Sequence, residues 1–437
     1  MISYCTYCNY KDSGAPWLGA VPAHWRLERA KWHFSVRNER GNSEPLLLAA
    51  TQKNGMYPQE KVDGVVKVAD GTDIQQFKTV HKSDFVISLR SFQGGFERSD
   101  YEGVCSPAYQ VFFADQTIWN NDYLKFLFKD VHFIDAMNAL TVGIREGRNI
   151  KYEDFANSLI AIPPRTEQTA IAEYLLARAQ EIDEIISEAK ASIEEYKTWK
   201  ASIIYEAVTK GLDPNVEMKE SGIKWIGTVP QHWSVSRLKT VVTSVESGVS
   251  VNASQTAAGE DKIGVLKTSS VSKYYFNPKE NKEVNSDELN RVSCQVKANT
   301  IIVSRMNTPE LVGACGYVEK DYPLLYLPDR LWQVHFNESV KVKYIYYYLC
   351  SNYIKNYYAS LSSGTSSSMQ NISQGQFLNA VLLLPGQGEQ NEIATFLDNK
   401  CSDIEAIIQE KENLITDLES YKKALIFEVV TGKRRVC

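Results

Sequence analysis

The sequence predicts an α/β (α+β) fold in which two pseudo-repeated mixed α/β globular domains are joined by two long antiparallel coiled-coil helices. Three observations support this fold class: an internal repeat, two segments with heptad-spaced apolar residues, and two intervening segments rich in β-branched and aromatic residues. Because the chain has 437 residues, it is too long for one hydrophobic core, and at least two domains are expected.

An internal repeat opens each half of the chain. Residues 13–31 and 221–239 align without a gap at an offset of 208 and are identical at ten of nineteen positions, in the pattern SGxxWxGxVPxHW. A second repeat, at an offset of 222, aligns residues 163–211 with residues 385–433. The identities at the start of the second repeat include the pairs Glu167/Glu389 and Gln168/Gln390. Similar ends around different middle segments predict a common scaffold that presents two different surfaces.

Apolar residues in steps of three and four predict a long helix at the end of each half. Residues 166–210 contain neither proline nor glycine, and the second copy repeats their apolar spacing. Over about four heptads this pattern favours a coiled coil over a simple surface helix. The predicted seam residues are Leu175, Ile182, Ile186, Ile193, Ile203, Leu397, Ile404, Ile408, Ile415 and Leu425. If the helices pair antiparallel, the globular domains lie at opposite ends. The alternative is that each helix packs only on its own domain.

These patterns predict four parts. The first globular domain is residues 1–163, and the first long helix is residues 164–211. The second globular domain is residues 212–385, and the second long helix is residues 386–437.

The net charge of −5 argues weakly against nucleic-acid binding, since nucleic-acid-binding proteins usually carry a basic excess. The acidity is concentrated in the predicted helices. Residues 164–211 carry nine acidic and six basic side chains, and residues 386–437 carry ten acidic and seven basic side chains. The globular parts are therefore close to neutral and can still contact phosphates if their basic residues share one face.

General features predict a cytoplasmic protein with no catalytic or metal site of its own. No apolar run approaches the eighteen or so residues of a membrane span, and the N-terminus lacks the pattern of a secretory signal. Cys5 and Cys8 form one C-x-x-C without a second pair to complete four zinc ligands. Phosphate-binding and dinucleotide-binding glycine motifs are absent from the sequence. His24 and His232 have no evident partner within the opening motif, which is therefore interpreted as a packed structural anchor.

Polar loops follow strand-like stretches in both middle segments. FVIS at residues 85–88 leads into one loop, and IIVS at residues 301–304 leads into the other. Arginine can donate two hydrogen bonds to guanine, and asparagine or glutamine can pair with adenine in the same bidentate way. These loops and neighbouring polar turns are therefore candidate DNA-reading surfaces, although any one residue could equally belong to a solvated hairpin. The candidate DNA-binding residues are Thr51, Lys53, Arg90, Ser91, Gln93, Arg98, Arg145, Arg148, Lys267, Thr268, Ser304, Arg305, Asn307, Thr308 and Arg330.

The arrangement resembles the specificity subunit of type I restriction–modification systems. The resemblance covers nearly the whole chain and rests on the doubled SGxxWxGxVPxHW motif, the IPPRTEQ and LPGQGEQ turns, and the closing AVTKG and VVTGK. It implies two target-recognition domains that each read one half of a bipartite, asymmetric site in double-stranded DNA. It also implies that the coiled coil sets the distance between the halves.

The same resemblance implies partners that carry the chemistry. Two modification subunits would use S-adenosylmethionine to methylate adenine. Restriction subunits, which are ATP-dependent nucleases, would use ATP and Mg²⁺. This chain would then be non-catalytic and would bind none of these cofactors.

Three other functions stay open from the sequence. They are a stand-alone sequence-specific DNA-binding regulator of the same fold, an enzyme with an unfamiliar active site, and a coiled-coil adaptor that never binds DNA. A regulator would bind its site tightly alone, whereas a specificity subunit is expected to need its modification partner.

Overall fold

The computed structural model describes residues 6–40, 46–62, 74–89, 94–140, 150–223, 226–366 and 369–436. The chain forms two compact units: unit 1 is Met1–Ala189 with Glu412–Cys437, and unit 2 is Lys190–Lys411. Each unit contains one globular part and a stretch of both long helices. The division between compact units therefore runs through both helices and not at their ends.

The globular part of unit 1 is built from short strands and three short helices. Its described strands are β1 (Tyr10–Asp12), β2 (Ala20–Pro22), β3 (Arg26–Arg29), β4 (Phe34–Val36), β5 (Leu48–Thr51), β6 (Gly55–Pro58), β7 (Lys78–Val80), β8 (Phe85–Ile87), β9 (Glu97–Arg98), β10 (Gly103–Cys105), β11 (Gln110–Ala114) and β12 (Leu159–Ile162). Its described short helices are α1 (Asn121–Leu127), α2 (Val131–Leu140) and α3 (Tyr152–Asn157). The first long helix, α4 (Arg165–Lys210), begins here and ends in unit 2.

Phenylalanine rings fill the core of unit 1 against a four-stranded antiparallel sheet with the order β4-β11-β8-β9. Phe34, Phe85, Phe96, Phe112 and Phe128 are all buried. The rings of Phe85 and Phe128 meet edge to face with their centroids 5.0 Å apart. Each such pair stabilises the core by about 0.5–1.5 kcal/mol beyond the burial of its area.

The globular part of unit 2 has a similar composition. Its described strands are β13 (Met218–Glu220), β14 (Thr228–Pro230), β15 (Ser234–Arg237), β16 (Val242–Ser247), β17 (Gly264–Leu266), β18 (Asn281–Glu283), β19 (Gln295–Val296), β20 (Thr300–Ser304), β21 (Met306–Asn307), β22 (Cys315–Val318), β23 (Tyr322–Tyr326), β24 (Leu331–Phe336), β25 (Ser363–Ser366), β26 (Met369–Asn371) and β27 (Val381–Leu384). Its described short helices are α5 (Val342–Cys350), α6 (Asn352–Leu361) and α7 (Gln374–Leu378). The second long helix, α8 (Gln387–Val430), begins here and ends in unit 1.

The two globular parts share a scaffold. The sheet order β16-β24-β20-β22 in unit 2 matches β4-β11-β8-β9 in unit 1 in the chain order of its strands. The stretches FVIS and IIVS occupy the same position, third in each order, as β8 and β20. Unit 2 also contains a second four-stranded sheet, β18-β17-β23-β19, and a three-stranded sheet, β21-β26-β25. The predicted fold class, with two pseudo-repeated mixed α/β domains and two long helices, is confirmed.

Capping side chains mark the start of two of the described short helices, α1 and α7. Asn120 precedes α1, and its side-chain oxygen accepts hydrogen bonds from the backbone N–H groups of Asp122 and Tyr123. Ser373 precedes α7 and forms a capping box with Gln376, in which each side chain accepts a hydrogen bond from the other residue's backbone N–H. Such caps satisfy amide groups that have no partner within the helix.

The long helices pair antiparallel within each unit. In unit 1, Lys422 Nζ lies 2.7 Å from Asp183 Oδ2, and the Arg434 guanidinium, just beyond α8, lies 5.8 Å from the centroid of the Tyr174 ring. In unit 2, Lys200 forms an ion pair with Glu405. As the residue number rises along α4 in unit 1, the number of its partner falls, which defines an antiparallel pair. Lys200 and Lys422, which occupy equivalent positions at the repeat offset of 222, therefore bind carboxylates of the opposite helix.

The predicted seam residues occupy the inner face of the helices to different degrees. Those that are buried are Leu175, Ile182, Ile186, Ile193, Leu397, Ile404 and Leu425. Those that are half-buried are Ile203, Ile408 and Ile415. Next to Ile203, Ile204 is buried. A straight helix has 3.6 residues per turn, so its buried face drifts from a strict heptad register, and this drift explains the shift by one residue.

Gly432 closes α8 in a backbone conformation and a space that only glycine fits. Its φ is +73°, and an added Cβ would lie 2.4 Å from Pro22 Cδ and 2.9 Å from Trp25 Cη2. We expect Gly432→Ala to lower the free energy of unfolding by about 3 kcal/mol, because a left-handed backbone and overpacking both cost energy. Gly14 is a matched control, since its φ is +68° but nothing lies within 4 Å of an added Cβ.

We expect Gly14→Ala to cost only about 1 kcal/mol, from the backbone conformation alone. Urea unfolding of the two variants measures the difference. Equal losses would contradict the packing argument.

Among the described residues, no helix has the length and apolar character needed to cross a membrane.

Candidate nucleic-acid interface

The doubled opening motif is bound to the start of each long helix by one glutamate. In unit 2, His232 Nε2 lies 2.8 Å from Glu389 Oε2, and Trp233 Nε1 donates to the same carboxylate at 3.0 Å. In unit 1, His24 Nε2 lies 2.6 Å from Glu167 Oε1, and Trp25 Nε1 donates to Glu167 at 2.9 Å. We call each set the His-Trp-Glu lock.

The histidines therefore have carboxylate partners that the motif alone does not reveal. Glu167 is 143 residues from His24, and Glu389 is 157 residues from His232. The signal that could have found them is the repeat, because both glutamates are identities of the second repeat. Trp25 and Trp233 are fully buried, so each lock joins a buried indole to a helix start.

The ionisation of the Glu167 carboxylate in the His-Trp-Glu lock of unit 1 suits a structural anchor. Burial alone would raise the pKa of Glu167, but hydrogen bonds from Trp25, His24 and Tyr7 outweigh it and lower the pKa. The carboxylate therefore stays ionised and accepts three donors. Because the Glu167 carboxylate is ionised, it has no proton to donate as an acid. Its hydrogen bonds with the three donors therefore serve to fix the start of the helix.

A second repeated residue joins each long helix to the globular part of its unit. Gln168 Oε1 accepts from the backbone N–H of Asn120 at 2.8 Å. Gln390 Oε1 accepts from the backbone N–H of Lys341 at 2.8 Å. Asn120 and Lys341 are the residues that precede α1 and α5. The same scaffold contact thus occurs in both units.

In unit 2, three polar segments that are separate in the sequence come together. The backbone N–H of Arg305 donates to the Arg330 carbonyl at 3.1 Å, and the Ile372 N–H donates to the Arg305 carbonyl at 3.1 Å. Asn307 lies on β21, where it pairs with Gln370 of β26. Arg330 is exposed. The loop after β20, the segment at Arg330 and the polar segment that contains β26 therefore form one surface.

Not every candidate of that loop faces solvent. Ser304 is fully buried, because it ends β20, a central strand whose five residues are all buried. Arg305 and Thr308 are half-buried, and the Asn307 side-chain oxygen accepts from the Thr308 N–H at 2.9 Å. The outer members of the surface are thus Arg330 and strand β26, in which Met369 and Asn371 are exposed.

Lys267 and Thr268 lie elsewhere in unit 2. They follow β17, which belongs to the sheet β18-β17-β23-β19. Lys267 Nζ lies 3.8 Å from Glu280 Oε2, and the Thr268 carbonyl accepts from the Ser272 hydroxyl at 3.1 Å. The structure does not place these two residues in the strand pairing that unites the other candidates.

In unit 1, the described candidates have different environments. Thr51 Oγ1 donates to the Gly55 carbonyl at 2.9 Å and shapes the turn after β5. Lys53 in that turn is exposed. The guanidinium of Arg98 binds Asp100 at 2.7 Å and Asp122 at 2.5 Å, so two carboxylates compete with any phosphate. The remaining candidates lie outside the described residues: Arg90, Ser91, Gln93, Arg145 and Arg148.

Glu97 is a buried acid beside the turn after β5. Its side chain is 4% exposed, and Lys129 Nζ lies 2.6 Å from its Oε2. Burial raises the pKa of Glu97 from 4.5 to about 7, although the charge and hydrogen bond of Lys129 oppose the shift.

A pH dependence of stability follows from this raised pKa. A carboxyl that binds its proton more tightly in the folded state favours folding most at low pH. We expect the stability of the protein relative to its Glu97→Gln variant to fall as the pH rises from about 4.5 to about 7. The change is on the order of 3 kcal/mol. Urea unfolding of both proteins across this range measures it, and a constant difference would contradict a raised pKa.

The part of the chain that the structure describes contains no group of three or more histidine, cysteine, aspartate or glutamate residues that could hold a metal ion. Cys8 is exposed, and Cys5 lies outside the described residues.

Taken together, the shared sheet order and the doubled His-Trp-Glu lock define a scaffold that occurs twice in the chain. Residues 230–417 match the family model described as the type I restriction modification DNA specificity domain. The chain is 24% identical over 405 residues to the EcoKI type I restriction enzyme specificity subunit of Escherichia coli strain K12, covering 90% of this chain and 80% of that subunit.

Two further comparisons agree. The EcoEI type I restriction enzyme specificity subunit of Escherichia coli is 23% identical over 267 residues, which cover 61% of this chain and less than half, 45%, of that subunit. A solved chain described under the complex assembly and conformational transition of the type I R-M system has a TM-score of 0.69 at 15% identity, covering 94% of this chain and 98% of that chain. At this identity the structural likeness shows the fold alone.

The resemblance to the specificity subunits of type I restriction–modification systems is therefore confirmed. This chain is similar to those subunits, and residues 230–417 match the model of their DNA specificity domain.

Proposed function

We propose that this chain is the DNA sequence-specificity component of a type I restriction–modification complex. Each unit reads one half of a bipartite, asymmetric site in double-stranded DNA. One observation carries the proposal: two units with the same sheet order and the same His-Trp-Glu lock present different polar segments after the equivalent strands β8 and β20. Different reading segments on one scaffold fit two different half-sites, whereas identical segments would fit a palindrome.

The paired helices have two proposed roles. They set the spacer between the half-sites, since a helix of 46 residues spans about 70 Å at 1.5 Å per residue, roughly two turns of DNA. They also dock two modification subunits, for which their acidic outer faces offer hydrogen-bond acceptors and charge.

The chemistry belongs to the partners in this proposal. S-adenosylmethionine would bind the modification subunits, and ATP and Mg²⁺ would bind the restriction subunits. The residues of this chain would position DNA through backbone contacts and read base edges from the loops. The near-neutral globular parts would gain little sequence-independent affinity from phosphate neutralisation, which fits a component that binds DNA tightly only within a complex.

Binding with and without the modification subunit tests the proposal. We expect the chain alone to bind duplex DNA weakly, and the complex to methylate adenine within one bipartite sequence. A map of adenine methylation in cells that express both subunits identifies that sequence. Tight specific binding by the chain alone would favour a stand-alone regulator. Methylation or cleavage by the chain alone would contradict a non-catalytic role, and a partner complex that retains no specific duplex would favour an adaptor.

A further inference from the structure

Lys129 lies where three segments of unit 1 meet, directly after α1. Its ammonium group is 2.6 Å from Glu97 Oε2, donates to the Gly94 carbonyl at 2.8 Å, and donates to the Gln52 carbonyl at 3.5 Å. A lysine has three N–H donors, so one side chain reaches the turn after β5, the segment before β9, and β9 itself.

Close backbone packing surrounds this junction. A Cβ added to Gly94 would lie 2.9 Å from Gln52 Cγ and 3.1 Å from Glu97 Oε1. A Cβ added to Gly95, which has a φ of +73°, would lie 2.3 Å from the Phe128 carbonyl oxygen. The two segments are thus in direct contact, and their relative position depends on the groups between them.

We propose that Lys129 is a positioning residue for sequence recognition by unit 1, which fixes the turn at Gln52 against the segment at Gly94. These two segments carry candidate base-reading residues: Thr51 and Lys53 flank Gln52, and Arg98 follows Gly94 in β9. Lys129 acts through the backbone carbonyls of both segments and not by contact with DNA. The inference rests on the proposed function, because it assumes that unit 1 reads a half-site.

The alternative role for Lys129 is to neutralise the buried carboxylate of Glu97. That role would require only one of its three contacts, and the other two are made to backbone carbonyls of the candidate reading segments. The two roles separate when the carboxylate is made neutral. Glu97→Gln keeps both carbonyl contacts, whereas Lys129→Met combined with Glu97→Gln removes them without leaving a buried unpaired charge.

The test measures adenine methylation by the complex with its modification subunit on duplexes that carry the mapped sequence or a single base change in either half. We expect the Glu97→Gln variant to discriminate as the unmodified protein does. We expect the double variant to lose about tenfold or more of its discrimination in one half only, on the scale of one lost base contact. Lys129→Arg, which retains several donors, should preserve most of the discrimination.

Thermal unfolding of each variant provides the structural control. The inference is overturned if the folded double variant discriminates fully in both halves, or if discrimination falls equally in both halves. It is also overturned if the loss appears only together with unfolding of the chain, since that outcome shows a purely structural lysine. If the unmodified complex shows no sequence discrimination at all, the proposed function fails and not merely the role of Lys129.

Discussion

We expect that replacing residues 37–141 with the equivalent segment of a type I specificity subunit changes one half of the proposed methylated sequence and leaves the other half and the spacer unchanged. The physical reason is that the His-Trp-Glu lock and both long helices lie outside this segment, whereas strands β8, β9 and β11 are exchanged with it. The lock of Trp25 with Glu167 and the packing of Gly432 remain intact. Residues 37–141 supply the turn after β5 and the segment after β8, which the proposed function assigns to one half-site.

Two contacts set the design of this exchange. The side-chain amide of Asn120 donates to Thr169 Oγ1 at 3.1 Å, and the Tyr123 hydroxyl donates to the Val430 carbonyl at 3.0 Å. The incoming segment should therefore retain asparagine and tyrosine at these positions, so that both long helices keep their contacts with the globular part.

The matched control is the exchange of residues 246–362 in unit 2, which should change only the other half of the site. Mapping of methylated adenine reads out both exchanges. We expect methylation of the original half-site, relative to the new half-site, to fall more than tenfold after the exchange. The reason is that each mismatched base pair costs about 1–3 kcal/mol. Altered bases in both halves after a single exchange would contradict independent reading by the two units.

Local patterns were sufficient to predict the scaffold. The repeat at offsets of 208 and 222 predicts two similar units, and the heptad spacing predicts both long helices. The strand-like stretches FVIS and IIVS form the equivalent strands β8 and β20. These predictions succeed because periodicity and repetition are properties of nearby residues or of aligned copies.

Contacts between distant residues could not be predicted in the same way. Arg98 has the residue type of a base reader, but Asp122, 24 residues later, binds its guanidinium. Ser304 ends the strand-like stretch IIVS, where a candidate loop begins, but it belongs to a central strand and is buried. Whether a polar side chain faces solvent depends on the packing of the sheet, which alternation along one strand does not determine.

The proposed spacer role leads to the second large effect. Inserting one heptad into α4 and one into α8 at facing positions, beside Asp183 and Lys422 in unit 1, should lengthen the spacer of the methylated sequence without changing either half. Because those residues pair across the antiparallel helices, matched insertions preserve the apolar seam. Seven residues add about 10 Å of helix, so the spacer should grow by up to about three base pairs.

A cost in rate should accompany the longer spacer. Three base pairs rotate one half-site by about 100° around the DNA axis, whereas a heptad turns the helix surface by only about 20°. The inserted protein should therefore methylate its longer site more slowly than the unmodified protein methylates its own. Insertion into α4 alone is the control. It leaves seven residues without partners on α8 and should reduce both the thermal stability and the methylation of any site. Methylation of the original sequence with the original spacer after the matched insertions would show that the helices do not set the distance.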